Sequence, residues 1–242
     1  MTAQPVTPAP ARSATRELPA PRPAPFGRRT AVVALTVGAA LNLAEALVWR
    51  VVGQSGSIPD DLAAVADRPT LAAVALAVGT IGIPFLLLGL VAMAQLVRPH
   101  MPRLGTTAMV LGFVGVLGFA GMHAVSIYDI AAAEQPDRAA MVALVEDAQG
   151  SALALLVLVP FLLGMAGSVL LSSIGYLRTR VVPIWIPMAF LVFLVLDFGG
   201  LPTGPVDPHW LFVAASLGLA VTVARRTDEQ WWTGRADGDA DR

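Results

Sequence analysis

Six stretches of the chain are almost wholly apolar, at 31 to 52, 70 to 97, 104 to 130, 150 to 177, 182 to 199 and 209 to 225. A helix crossing a hydrocarbon core roughly 30 Å thick needs about 20 such residues, so the pattern predicts six transmembrane helices and an all-α, polytopic fold. The fifth stretch is short and opens with Pro183 and Pro187, which blurs its start. Pro84 and Pro160 fall mid-span, where neighbouring helices absorb the lost backbone hydrogen bond and the kink. Residues 1 to 29 break the pattern with seven prolines and five arginines. Such a segment buries too little apolar surface to offset its ordering entropy and is expected to be a disordered tail. The transmembrane domain then runs from 30 to 226, with a short polar tail from 227 to 242.

The polar connections show an internal repeat of hairpins. Pro59-Asp60-Asp61-Leu62-Ala63-Ala64 follows the first span, and Ile83-Pro84-Phe85-Leu86 stands 25 residues past Pro59. Pro136-Asp137-Arg138-Ala139-Ala140 follows the third, and Val159-Pro160-Phe161-Leu162 stands 24 residues past Pro136. Each Pro-Asp start predicts a short surface helix, with Pro at its first position and acids in its first turn. The second such helix has Met141, Leu144, Val145 and Ala148 at amphipathic spacing. The fifth and sixth spans form a weaker third copy whose loop, 199 to 208, has no room for a surface helix.

Composition agrees with a membrane protein: 56% of residues are hydrophobic, 14% are charged, and mean hydropathy is +0.70. A soluble domain carries about 25% charged residues. The net charge of -1 removes the basic excess that a nucleic-acid partner requires. With no cysteine there are no disulfides, thiolate metal sites or Cys nucleophiles.

Charge position sets the expected orientation. All 16 basic residues are Arg, and thirteen fall in the two tails and the second-to-third and fourth-to-fifth connections. Arg50, Arg68 and Arg138 fall on the opposite side, among nine acids. Arginine-rich short loops stay cytoplasmic, so both termini are expected in the cytoplasm of a bacterial plasma membrane, with an acidic outer face. Reading Arg28-Arg29 and 31 to 43 as a cleaved signal, with Ala44 and Ala46 at the cut, requires a Pro-rich n-region of about thirty residues and an apolar run continuing past the cut to Val52, both atypical. Trp185, Trp210 and Trp231-Trp232 fall near expected interfaces. The C-terminal stretch is read as a solvated tail whose Trp pair rests on inner headgroups.

Ionisable residues inside spans mark candidate sites, because they are costly in lipid and face the bundle interior or a water-filled cavity. Glu45, His123 and Asp197 lie about 22, 28 and 21 Å from the inner ends of their helices at 1.5 Å per residue. Each belongs to an inside-to-outside helix, one per hairpin. Asn42 shares a face with Glu45, and His123, Ser126 and Asp129 climb the third span in steps of three. Asp207 and His209 stand where the sixth span begins. Converging helices would place Asn42, Glu45, His123, Ser126, Asp129, Asp197 and His209 around an outward-facing vestibule for a proton or small ligand. The plainer alternative is that Glu45 is neutral and bonded to a neighbour while the others reach interfacial water.

No catalytic residues, cofactor or metal site are expected. There is no His-Glu-x-x-His pairing, Walker motif, dinucleotide fingerprint or Gly-x-Ser-x-Gly elbow. His123, Ser126 and Asp129 resemble only faintly the His, Ser and Asp sets of membrane-embedded metal hydrolases of the ceramidase and progestin-receptor type. Gly112, Gly115, Gly118 and Gly121 line one span, with Gly79, Gly82, Gly164 and Gly167 repeating the theme. Small residues let helices approach closely, so these faces are expected to pack tightly and to offer a route to homo-oligomers.

Arg29-Thr30 leading into the Gly38-to-Glu45 run, and Pro102-Arg103-Leu104-Gly105 entering a Gly-rich helix, resemble the small polytopic membrane proteins of unknown function common in high-GC Gram-positive bacteria. The absence of Lys agrees with such a genome. The resemblance covers about residues 30 to 226 and implies a multi-pass cell-membrane protein, with no activity to carry over. Three functions stay open: a small transport or ligand-sensing protein, a membrane-embedded metal-dependent hydrolase, and a scaffold or regulatory protein without a site of its own.

Overall fold

A computed structural model describes residues 26–53, 56–199 and 206–233. The expected N-terminal tail up to residue 25, most of the 199 to 208 loop, and residues 234 to 242 lie outside the described residues. The described residues form helices and no strand: α1 (Arg28–Val52), α2 (Ile58–Asp67), α3 (Pro69–Val97), α4 (Pro102–Ala133), α5 (Arg138–Gly150), α6 (Leu155–Thr179), α7 (Trp185–Asp197), α8 (His209–Ala224) and α9 (Asp228–Thr233). Four of these, α1, α3, α4 and α6, are long and apolar enough to cross a membrane. The fifth and sixth apolar runs yield helices of 13 and 16 residues, about 20 and 24 Å long and thus shorter than a roughly 30 Å hydrocarbon core.

Large apolar side chains also cover the outside. Ile81, Leu117, Leu156, Leu163 and Val195 are each more than half exposed. Exposed apolar side chains in this number call for lipid or another protein rather than water.

Both surface helices form, and they start differently. Pro59 occupies the first turn of α2 with Asp60 and Asp61 beside it, as the spacing predicts. In the second copy Pro136 lies outside the helix. Asp137 is the N-cap there, its carboxylate accepting from the Ala140 N–H at 3.1 Å, so capping replaces the predicted Pro start. The run beginning at 150 is also divided: α5 ends at Gly150, Ser151 caps it, and α6 starts only at Leu155. Val52, Leu62, Val65, Ala72, Ala132, Ala133 and Val145 bury one another at this end of the bundle. Thus α2 and α5 roof the ends of α1, α3 and α4.

The six apolar helices close a ring in the order α1, α3, α4, α6, α7, α8, with α8 returning to α1. The closest approaches fall within each hairpin unit and run through glycine. A Cβ on Gly38 of α1 would meet the α3 backbone at Leu86 N and Phe85 C, 2.9 Å away. A Cβ on Gly115 of α4 would overlap the Met165 amide and meet the Gly164 carbonyl carbon at 2.6 Å. Gly112 faces Ser168, and Gly118 faces Phe161. The α4 glycines expected to be available for self-association are therefore filled by α6 of the same chain.

The C-terminal segment departs from the solvated tail expected of it. Trp231 is 2% exposed and joins the main core, and its Nε1–H donates to the Phe26 carbonyl at 2.7 Å. Arg28 pairs with Asp228 at 2.8 Å and donates to the Ala224 carbonyl. Of the Trp pair, only Trp232 keeps an exposed ring. A buried Trp needs a partner for its N–H, and only the folded chain brings Phe26 to it.

Candidate functional site

Glu45 comes from the α2/α5 half of α1 and His123 from the matching half of α4, with α3 packed against both helices. Each sits on the first helix of its hairpin unit, and the two side chains meet. Glu45 Oε1 lies 3.0 Å from His123 Nε2, a close ion-pair approach without hydrogen-bond alignment, with both groups buried. Gly79 of α3 makes this contact possible, since a Cβ there would overlap the Glu45 carboxylate and His123 Nε2.

The imidazole is anchored on its other side, where Nδ1 lies 3.0 Å from the Phe119 carbonyl. A carbonyl only accepts, so Nδ1 carries a hydrogen and donates it. One proton held by either Nε2 or the carboxylate would leave the pair neutral overall, a state tolerable in a dry interior.

Asp197 ends α7 and His209 begins α8. His209 Nδ1 stands 3.8 Å from Asp197 Oδ1 and 2.8 Å from Asp207 Oδ1. The same Asp207 oxygen accepts the His209 backbone N–H at 2.9 Å. Its other oxygen meets Arg50 Nε at 3.0 Å, and Asp207 itself is buried. Asp207 is therefore well compensated, whereas Asp197 has His209 only at ion-pair distance.

A cavity of about 430 Å³, part of it open to solvent, lies where the six apolar helices converge. Its polar lining is Asn42, Asp197 and His209. Its apolar lining includes Phe119, Phe161, Phe193, Phe198 and Phe212, with Leu86, Met165 and Val169. The rings form a continuous series. Phe119 stacks on Phe161 at 5.5 Å, Phe161 lies 6.1 Å from Phe198, Phe198 meets Phe193 edge-on at 6.2 Å, and Phe193 lies 5.1 Å from Phe212.

The seven expected vestibule residues thus separate into three groups. Asn42, Asp197 and His209 line the cavity. Glu45 and His123 lie behind it, joined to its wall by Phe119, whose ring meets the imidazole edge-on at 4.4 Å. Ser126 and Asp129 do not reach the cavity. The Ser126 hydroxyl donates to the Met122 carbonyl of its own helix, and Asp129 stays half-buried farther along α4. A spacing of three turns each side chain about 300°, so the two steps from His123 to Asp129 walk about 120° off the face His123 presents.

Several participants give no sequence signal as site residues. Gly79 reads as a packing glycine, the five phenylalanines as apolar filler, and the Arg50 to Asp207 link spans a separation that no local pattern reveals. A second buried polar group lies farther along α3 and α6. Gln95, Ser168, Ser172 and Ser173 are almost fully buried, and their side-chain polar atoms have no hydrogen-bond partner. Among the described residues, no three His, Asp or Glu side chains are grouped to hold a metal ion. No family model, curated protein or solved structure matches the chain, so its functional reading rests on the geometry of the pair and the cavity.

Proposed function

We propose that this is a six-span plasma-membrane protein that binds a small ligand in its central cavity and couples that binding to the proton of the Glu45–His123 pair, as a transporter or ligand sensor. The short α7 and α8 complete their crossings with flanking residues, and both termini lie in the cytoplasm. The arginine distribution supports this orientation, with thirteen on the terminal side against three on the α2/α5 side. The cavity then faces outward through the end where Asp197 and His209 lie.

One observation carries the reading. A buried acid–imidazole pair stands directly behind a cavity lined by all six apolar helices, sharing Phe119 with its wall. Intramembrane acids and histidines are characteristic of proton and substrate pathways, and an apolar, aromatic lining with a few convergent polar groups is the usual composition of a small-molecule site. A ligand that moves Phe119 shifts the carbonyl and ring edge that orient His123.

The test is proton movement in proteoliposomes loaded with a pH-sensitive dye, challenged in turn with cationic, neutral and anionic organic solutes. One class is expected to drive a pH change with wild-type protein and none with Glu45→Gln, at equal incorporation. Silence with every class, or an unchanged response in Glu45→Gln, would overturn the proton coupling.

A further inference from the structure

We infer that the ligand of the central cavity is a small organic cation, a protonated amine or quaternary ammonium, held between Asp197 and the phenylalanine wall. This rests on the reading of the cavity as a ligand site and adds its chemical class.

Arg50 meets Asp207 at 3.0 Å, and His209 Nδ1 lies 2.8 Å from the same carboxylate. Among the described residues Asp197 is the acid that lines the cavity, and no arginine lines it. An anion would meet that acid with no arginine beside it. A wholly apolar guest would fill the cavity and bury Asp197 beside a partner 3.8 Å away, which is costly. A small cation would give the Asp197 carboxylate the close partner that His209, at 3.8 Å, does not supply.

The wall chemistry agrees. Phe has no hydrogen-bonding group, so it solvates a guest only by dispersion and by the negative potential of its ring face. That potential attracts ammonium groups, and quaternary ammonium most effectively because it is weakly hydrated. Five rings in one unbroken series beside a single carboxylate supply both halves of such a site. Asn42 adds one polar group able to take an N–H or hydroxyl from the guest.

The test is equilibrium dialysis of the full chain in lipid nanodiscs against radiolabelled tetramethyl-, tetraethyl- and benzyltrimethylammonium. At least one is expected to bind saturably. Asp197→Asn should weaken it by about tenfold or more, Asp197→Glu should restore most of the affinity, and Phe198→Leu should weaken it about threefold. An uncharged isostere, neopentylbenzene for benzyltrimethylammonium, should not compete at equal concentration. Unchanged melting of Asp197→Asn would show that the loss belongs to binding. Failure of all three cations, equal competition by the isostere, or an Asp197→Asn protein that binds as well as wild type would overturn the cation class. Saturable binding of benzoate or a neutral polyol instead, weakened by Asn42→Ala, would keep the ligand site and remove only its proposed chemistry. Cation binding without any proton movement in proteoliposomes would keep the cation site and remove the coupling.

Discussion

Two acid–histidine pairs among the described residues are built to opposite ends. Glu45 and His123 meet at 3.0 Å with about a tenth or less of either side chain exposed. Asp197 and His209 stand 3.8 Å apart, with 30% of the Asp197 side chain exposed, and His209 is engaged by Asp207 and through it Arg50. The first pair is closed on itself, and the absence of a side chain at Gly79 makes room for it. The second is open, with its histidine committed elsewhere and its acid left facing the cavity. A closed pair suits a group that stores a proton, and an open one suits a group that receives a ligand.

Breaking the closed pair should have the largest effect. Glu45→Leu strands the buried imidazole and is expected to lower stability by about 3 kcal/mol, read from denaturant or thermal melts in detergent. The double variant Glu45→Leu/His123→Leu should recover part of this, with a coupling energy of about 2 kcal/mol. Additive losses would show that the two groups do not act as a unit.

Gly79→Ala comes next, at about 2 kcal/mol, because its methyl must enter the space of both partners. The control is Gly82→Ala, whose methyl meets Leu41 Cβ at 3.2 Å and should cost less. Equal melting of the two variants would remove Gly79 from its special place.

At the open pair the effects on folding should be smaller. Arg50→Gln leaves the buried Asp207 with only His209. It is expected to cost about 1 kcal/mol, since Arg50 itself is partly exposed and its pair is screened. Asp197→Asn should change stability by less than about 0.5 kcal/mol while removing ligand binding. A large stability loss in Asp197→Asn would mean the two pairs are both structural, and the contrast between them would disappear.

The sequence was most informative where one residue class at one spacing has one physical outcome. The apolar runs gave helices near their expected places, and both Pro-Asp segments gave surface helices, α2 with its Pro in the first turn and α5 from an Asp137 cap instead. The equivalence of Glu45 and His123 between hairpins was legible as position. Their contact was not, because it depends on how α3 packs between α1 and α4 and on a glycine 34 residues past Glu45. The Ser126 and Asp129 stripe misled for a related reason. A step of three keeps neighbours on one face for a single turn and then drifts off it, and only the position of α6 and α7 decides which part of the face is lined.

By itself the sequence determined the apolar helices, their pairing into repeated hairpins, and the charge asymmetry between the two ends. These follow from hydrophobicity, turn chemistry and the cost of moving charge across lipid, all of which act locally along the chain. Tertiary structure alone decided that Glu45 faces His123, that Asp197 lines the cavity, that five phenylalanines from α4, α6, α8 and the C-terminal end of α7 form one wall, and that Trp231 closes on Phe26. Each of these depends on which faces meet when the ring of helices closes. That choice is made by close packing at a few glycines, whose contacts lie tens of residues away in sequence.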